Sequence, residues 1–198
     1  MHPHTKISFI NDEIGIGVTA TQFIPKGTIT WVQDDLDGVY TADEIENMNP
    51  VLQELMDKFS FRNNQGEFIL CWDLSKYVNH SFKSNCLSTA YNFEIAIRDI
   101  QIGEELTDDY GYLNVLQPFK AANEGTDREV VYPDDVLNNY KKWDKALETV
   151  FPHIFKINQP MLNLISEEMK EEIKKVANGE KEMTSTRSLY FDPEKARI

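Results

Sequence analysis

Cysteine is scarce in this chain, and long apolar runs are missing. The 198 residues include two cysteines, Cys71 and Cys86, which are too few for a disulfide framework and are not spaced as paired zinc ligands. We therefore expect no bound zinc and an intracellular, reducing location, with the cytoplasm favoured over the nucleus. No stretch is long enough to cross a membrane, and the first residues lack the apolar core of a signal peptide, so no membrane association is expected.

Positive charge is the second shortage. The chain has 20 Lys and Arg residues against 33 Asp and Glu residues, which gives a formal net charge of −13 at pH 7. A phosphate backbone is bound mainly through Lys and Arg, so nucleic acid is not an expected partner. The acidic residues are spread along the chain without a block of like charges, which is typical of a solvated surface. The alternative is an acidic face that attracts basic substrates by electrostatic steering.

The apolar pattern of the first 120 residues predicts short strands joined by turns. Hydrophobic residues make up 41% of the chain, which is enough for a packed core. The candidate strands are residues 6–10, 28–33, 68–72 and 89–97. The last strand alternates, which predicts a half-buried strand in a hairpin. Its apolar face would carry Thr89, Tyr91, Phe93, Ile95 and Ile97, and its other face Asn92, Glu94 and Ala96.

Helices are predicted in an insert and in the C-terminal part. The insert spans about residues 41–60, where Thr41 and Glu44 have capping-box spacing and Pro50 should break the helix after Met48. Residues 120–129 are polar and aperiodic, which indicates a loop. A helix should start near residues 133–135, and another should lie within 161–177 before the Asn178-Gly179 stop. The sequence pattern therefore predicts a mainly β domain followed by a helical C-terminal segment.

Three segments together resemble the signatures of one family. Residues 76–81 are Lys-Tyr-Val-Asn-His-Ser, residues 102–111 are Ile-Gly-Glu-Glu-Leu-Thr-Asp-Asp-Tyr-Gly, and a Gly-Ile-Gly at 15–17 precedes both. In this order the segments resemble the SET-domain protein lysine methyltransferases, over about residues 5–120. The resemblance implies a SET-type fold of several short sheets with a knot-like C-terminal threading. It implies a SET domain at 1–119 and a loop plus helical segment at 120–198.

The resemblance also implies a reaction, the transfer of a methyl group from S-adenosylmethionine to a lysine amine. Tyr110 matches the family's active-site tyrosine, whose hydroxyl lies beside the transferred methyl group and orients the amine. Asp108 is the second active-site candidate. The cofactor would contact Tyr110 and a further set of residues, namely Gly15, Ile16, Gly17, Lys76, Tyr77, Asn79, His80 and Phe119. Gly15 and Gly17 would let the backbone approach the cofactor closely. Glu104 and Glu105 are interpreted as a turn that fixes the motif's geometry.

Two departures from the family pattern affect the predicted site. Phe82 stands where relatives carry a zinc-binding cysteine, and no cysteine follows Tyr110, so the helical tail should replace the zinc-bound lid. Asp108 stands where the family commonly has Phe or Tyr. Its carboxylate could contact the substrate ammonium or a water, and its smaller size would leave room for more than one methyl group. The alternative is that Asp108 points away and caps a neighbouring turn.

The lid and the activity each admit a second interpretation. Phe119 and Trp143 are the candidates for aromatic lid residues near the cofactor or the lysine channel, although Trp143 could equally serve only to dock its helix on the core. The expected partner is a protein substrate with an accessible lysine, basic in character. The alternative function is a catalytically inactive SET fold that binds peptide or cofactor. A methyltransferase acting on a non-protein amine is a more distant possibility.

Overall fold

Short strands and helices alternate along the chain. The computed structural model describes residues 1–194. Its strands are β1 (Thr5–Asn11), β2 (Gly15–Ala20), β3 (Ile29–Val32), β4 (Gly38–Tyr40), β5 (Ser60–Arg62), β6 (Phe68–Leu70), β7 (Asn79–His80), β8 (Cys86–Ser88), β9 (Phe93–Ala96), β10 (Glu105–Asp108), β11 (Phe119–Lys120) and β12 (Val130–Val131). Its α-helices are α1 (Ala42–Glu46), α2 (Pro50–Phe59), α3 (Asp135–Glu148) and α4 (Glu167–Ala177).

The strands form several small sheets, and in the described part of the chain none closes into a barrel. The sheet orders are β1-β2-β10-β7, β3-β9-β8, β4-β6-β5 and β11-β12. Strand β10 pairs in parallel with β7, so that Thr107 lies opposite Asn79 and Asp108 opposite His80. This pairing brings the two motif segments of the sequence side by side. The predicted mainly β fold of short sheets with helices is confirmed, and the knot-like threading stays a prediction.

The helical insert forms as its capping residues predict. Thr41 and Glu44 make the reciprocal capping box at the start of α1. Asn49 caps α2, which begins at Pro50, so the proline separates two helices as expected. Among the apolar residues of α2, Met56 is buried, while Leu52 and Leu55 are 45% and 46% exposed. The insert therefore lies at the edge of the molecule and contributes little to the core.

The strand predicted at 89–97 is shorter than expected and fully buried. Strands β8 and β9 form the predicted hairpin, but residues 89–92 turn the chain, with Asn92 at a φ of 57°. All four residues of β9 are buried, including Glu94. The half-buried interpretation is wrong because a hydrophobic core covers each face of β9. Phe93 and Ile95 enter one core, and Ala96 enters another.

The C-terminal helices pack onto the larger of these cores. Helices α3 and α4 occur where the sequence predicts them, and Asn178 with Gly179 ends α4 at a φ of 74° for the glycine. Trp143 and Leu147 of α3 are buried in the same core as Phe93 of β9. The segment after residue 120 thus shares a core with the sheets, and the division of the chain into 1–119 and 120–198 stays a prediction. Within residues 1–194 no helix is both long and apolar enough to cross a membrane.

Candidate active site

Asn79 joins all three motif segments. Its side-chain amide donates to the Ile16 carbonyl at 3.0 Å and to the Glu105 carboxylate at 2.7 Å. A Cβ atom at Gly17 would lie 2.3 Å from Glu105 Oε1 and 2.6 Å from Asn79 Nδ2. Position 17 must therefore be glycine, because any larger residue would collide with these two side chains. The sequence alone did not reveal this reason. Gly15 has a φ of 82° and open space around its Cα, so a ligand could approach its backbone.

The two adjacent glutamates of the second motif have different roles. Glu104 accepts a hydrogen bond from the Gln101 amide at 2.8 Å and pairs with Arg98, so it fixes the turn as predicted. Glu105 instead holds Asn79. Neither carboxylate lines the cavity next to Tyr110. The pair therefore serves the geometry of the motif rather than its chemistry.

His80 presents a buried nitrogen that has no partner. Its Nδ1 accepts a hydrogen bond from the Tyr110 amide at 3.1 Å. Burial, the largest influence, lowers the pKa of His80, so the imidazole is neutral at pH 7. In a neutral ring whose Nδ1 is an acceptor, Nε2 carries the proton. That Nε2–H is buried and has no hydrogen-bond partner among the described residues, which makes it a donor available to a bound ligand.

Three aromatic residues surround the His80 ring. Its centroid lies 4.4 Å from that of Phe82, 5.4 Å from that of Tyr110 and 5.7 Å from that of Phe119. Phe119 and Tyr110 are 6.3 Å apart. The structure therefore brings Phe119, predicted as a lid residue, to the two motif residues. It places Trp143 in the core beside Tyr112, where the indole N–H donates to Asp109 at 3.1 Å, so Trp143 docks its helix on the second motif segment.

Tyr110 is held in place through its hydroxyl group. The hydroxyl donates to the Val78 carbonyl at 2.5 Å. Burial, together with the negative charges of Asp108, Glu94 and Glu105, raises the pKa of Tyr110 above its ordinary value. The phenol is consequently neutral at physiological pH. It can orient a ligand by hydrogen bonding, but it is not a general base.

A cavity of about 450 Å³ lies against Tyr110. Its apolar walls include Trp31, Phe59, Phe61, Phe68, Val78 and Phe119. Its polar lining includes Lys76, Glu94 and Asp108. An aromatic wall with a few polar groups is the usual character of a small-ligand or side-chain site.

The predicted cofactor-binding residues divide into two groups around this cavity. Lys76 and Phe119 line the cavity together with Tyr110. The others lie outside its lining and include Gly15, Ile16, Gly17, Tyr77, Asn79 and His80. Asn79 links the glycine segment to the motifs, and His80 reaches Tyr110 by its hydrogen bond. Tyr77 packs edge-on against Phe59 at 5.5 Å.

Asp108 lies in the cavity wall beside a second carboxyl group. Asp108 and Glu94 are each 5% exposed, and their carboxyl groups lie close enough to influence each other. Thr30 donates to Glu94 at 2.6 Å, and the Asp109 amide donates to Asp108 at 2.9 Å. Burial, the largest cause, raises the pKa of both carboxyl groups, and the negative charge of Glu94 raises the pKa of Asp108 further. Sequence analysis missed Glu94 because an acidic residue on the polar face of an alternating strand predicts a solvent-exposed side chain.

A charged network surrounds Phe82, the residue that stands where the resemblance implies a zinc-binding cysteine. Glu124 accepts hydrogen bonds from the Ser81 hydroxyl at 2.7 Å and the Phe82 amide at 2.8 Å. The Arg128 guanidinium lies 4.5 Å from the Phe82 ring centroid and pairs with Asp109 at 2.5 Å. The segment 121–131 is thereby attached to both motif segments. Sequence analysis predicted only a polar loop here, since its partners are distant in sequence.

Zinc content is the first expected result that follows from this site. Within residues 1–194 no group of three or more His, Cys, Asp or Glu side chains could hold a metal ion. We expect no stoichiometric zinc in the purified protein and no change of Tm in strong chelator, since a structural zinc site contributes directly to folding. Elemental analysis of the purified protein measures this. A content near one zinc per chain would contradict it.

Phe119 carries the second expected result. Phe119→Ala removes the ring that contacts His80 and Tyr110, and its side chain is only half-buried, so binding should suffer more than folding. We expect S-adenosylmethionine affinity to fall about 10-fold, as for loss of one aromatic contact of roughly 1–1.5 kcal/mol. Calorimetric titration and a melting curve measure both effects. The matched control is Phe155→Ala, at a 41% exposed position outside the cavity lining, which should leave the affinity unchanged.

A comparison with known proteins identifies a family whose model matches part of this chain. Residues 15–111 match the family model described as SET domain. A solved Plasmodium falciparum structure, named as a "putative histone methyltransferase", is 18% identical, with a TM-score of 0.42. The similarity covers 56% of this chain and 95% of that one. No curated protein sequence matches the chain.

Proposed function

The chain belongs to the SET-domain family, and from this premise we propose that it is a protein lysine N-methyltransferase that uses S-adenosylmethionine. The observation that carries the proposal is the free His80 Nε2–H next to Tyr110, with an apolar cavity on the same tyrosine. Such an arrangement offers one position for a polar ligand and another for a long apolar side chain. A methyl donor and a lysine acceptor require two such positions.

The residues around His80 fit the proposed cofactor. Its Nε2–H is an unsatisfied donor, and Gly15 leaves its backbone open. Besides these two, the residues proposed to hold the cofactor are Ile16, Gly17, Lys76, Tyr77, Asn79, Tyr110 and Phe119. S-adenosylmethionine, when bound, supplies a methyl group on a positively charged sulfur atom.

The chain's own contribution would be to align and to desolvate the acceptor amine. A free lysine has a pKa near ~10.4, and only its neutral amine is a nucleophile. The aromatic walls of the cavity would exclude water and favour the neutral form. The Tyr110 hydroxyl, fixed by Val78, would direct the nitrogen lone pair, and most of the rate would come from this alignment.

The net charge supports a basic protein as substrate. A chain with a net charge of −13 attracts Lys- and Arg-rich partners and repels nucleic acid and anionic membrane surfaces. We propose an intracellular substrate, met in the cytoplasm rather than the nucleus. The charged network of Glu124 and Arg128 would take the place of a zinc-bound lid.

The competing function is a SET fold that binds its ligands without catalysis. Retention of Gly17, Asn79, His80 and Tyr110 favours the enzyme. The test is a calorimetric titration with S-adenosylmethionine, followed by an assay for S-adenosylhomocysteine in the presence of a basic protein mixture. The proposal predicts binding and protein-dependent turnover. Binding without turnover on any lysine-containing protein would establish the competing function.

A further inference from the structure

We propose that Glu94 and Asp108 form the ammonium-binding end of the cavity, a carboxyl pair that holds the cationic head of the acceptor side chain. The identity of that cation as a lysine of a protein rests on the proposed function. The binding of an alkylammonium group rests on the cavity alone. The inference assigns a positioning role to Glu94, a residue outside the motif segments.

Glu94 and Asp108 lack an ion-pair partner in the described part of the chain. Each is 5% exposed, and no Lys, Arg or His side chain among residues 1–194 forms an ion pair with either of them. The Met1 ammonium, whose charge acts on Glu94, is itself paired with Asp73. Their hydrogen bonds come from the Thr30 hydroxyl and the Asp109 amide, which are neutral donors. A buried carboxylate is costly unless a cation or a proton compensates it. A cation held by both carboxyl groups inside the cavity would provide this compensation.

The walls of the cavity suit an alkylammonium group in shape and chemistry. The carboxyl pair lies in the same cavity as Trp31, Phe61 and Phe68. Aromatic and apolar walls suit an aliphatic stem, and a carboxylate beside them suits a cation at the tip of that stem. A neutral alkyl chain would leave the pair unsatisfied. A divalent metal would need further ligands, and the described residues offer no group of three at any position.

The carboxyl pair would both hold the acceptor amine and take its proton. It would draw the protonated lysine into the cavity and hold its nitrogen near Tyr110, which shares the cavity wall. The ammonium would then give its proton to a carboxylate of the pair, which leaves the neutral amine that attacks the methyl group. The presence of Asp108 where the family commonly has Phe or Tyr is then linked to Glu94, because both carboxyl groups line the same cavity. The pair therefore acts as one unit, and both members must be removed to remove its charge.

The test uses n-butylammonium as the probe and 1-butanol as its uncharged counterpart. The apoprotein is titrated with each at neutral pH, and the indole resonance of Trp31 is followed by NMR. Trp72 and Trp143 do not line the cavity and are internal controls. The wild type should bind butylammonium at least about 10-fold more tightly than butanol, as expected for hydrogen bonds to a charged group. Equal affinities would overturn the proposal without any variant.

The variant arm is Glu94→Gln with Asp108→Asn. These amides keep the shape of the side chains and remove the burial of charge, so Tm should not fall. The variant should lose the preference for butylammonium over butanol. Asp43→Asn with Asp57→Asn removes two exposed charges, the second of them at the cavity lining, and should keep the preference. An unchanged preference in the Glu94 and Asp108 variant would overturn the proposal.

This experiment separates the inference from the proposed function because it uses neither cofactor nor protein substrate. Selective ammonium binding that disappears in the double amide variant supports the site, even if the wild type transfers no methyl group. Methyl transfer by a wild type that binds both probes equally would support the function and overturn the site.

Discussion

Replacing Tyr110 with Phe should lower the rate of methyl transfer at least about 100-fold, as for the loss of one well-placed active-site group. The ring packs against His80 and Phe119 and would remain, so folding and cofactor affinity should be retained. The hydroxyl bonds to Val78 and lies at the cavity wall, where it can direct the acceptor nitrogen. Single-turnover rates, calorimetric affinity and Tm together measure the three quantities.

Tyr132→Phe is the matched control for this change. Tyr132 follows β12, is 48% exposed and lies outside the cavity lining, so its variant should behave as the wild type. A rate close to that of the wild type in Tyr110→Phe would remove the hydroxyl from the mechanism. A loss of folding in Tyr110→Phe would show instead that the bond to Val78 is structural.

Arg128→Met should unfold the protein more easily than any surface substitution. Arg128 bridges Asp109 at 2.5 Å and Asp135 at 2.6 Å, and its side chain is 11% exposed. Removing one member of a buried ion network leaves charges uncompensated, which costs roughly 3–5 kcal/mol. For a chain of this size the Tm should fall by at least about 6 °C. Differential scanning calorimetry measures the change.

The control for Arg128 is Lys120→Met on the neighbouring strand. Lys120 pairs with Glu129 at 3.7 Å, but the two side chains are 73% and 51% exposed. Such a surface pair is worth roughly 0–1 kcal/mol, so the Tm should hardly move. Equal effects of the two substitutions would mean that the network does not secure the segment 121–131. A selective effect of Arg128→Met would give this network the anchoring role expected of zinc in relatives.

The motif segments and the insert were predictable because their signals are local. Thr41, Glu44 and Pro50 act within a few residues, and the structure confirms the cap and the break that they predict. The parallel pairing of β7 with β10 depends on the whole fold, so the sequence indicated only that the segments belong together. The resemblance to the family indicated that the motif segments form one site, which the hydrophobic periodicity could not indicate.

The missed residues act across long separations in sequence. Glu94 meets Asp108 from another strand, and Arg128 meets Asp109 from beyond the second motif. Taken alone, a polar residue in an alternating strand is expected to be exposed to solvent. The same holds for an arginine in a polar loop. Their burial results from the covering of β9 on both faces and from the folding of the segment 121–131 onto the motifs.

The most direct test of the central claim is to locate the transferred methyl group. The wild type and Tyr110→Phe are incubated with methyl-labelled S-adenosylmethionine and a mixture of basic proteins, and modified sites are mapped by mass spectrometry. The account predicts label on lysine Nζ atoms with the wild type and almost none with Tyr110→Phe. Label on another residue type, or no label on any protein while the cofactor is bound, would contradict lysine methyl transfer.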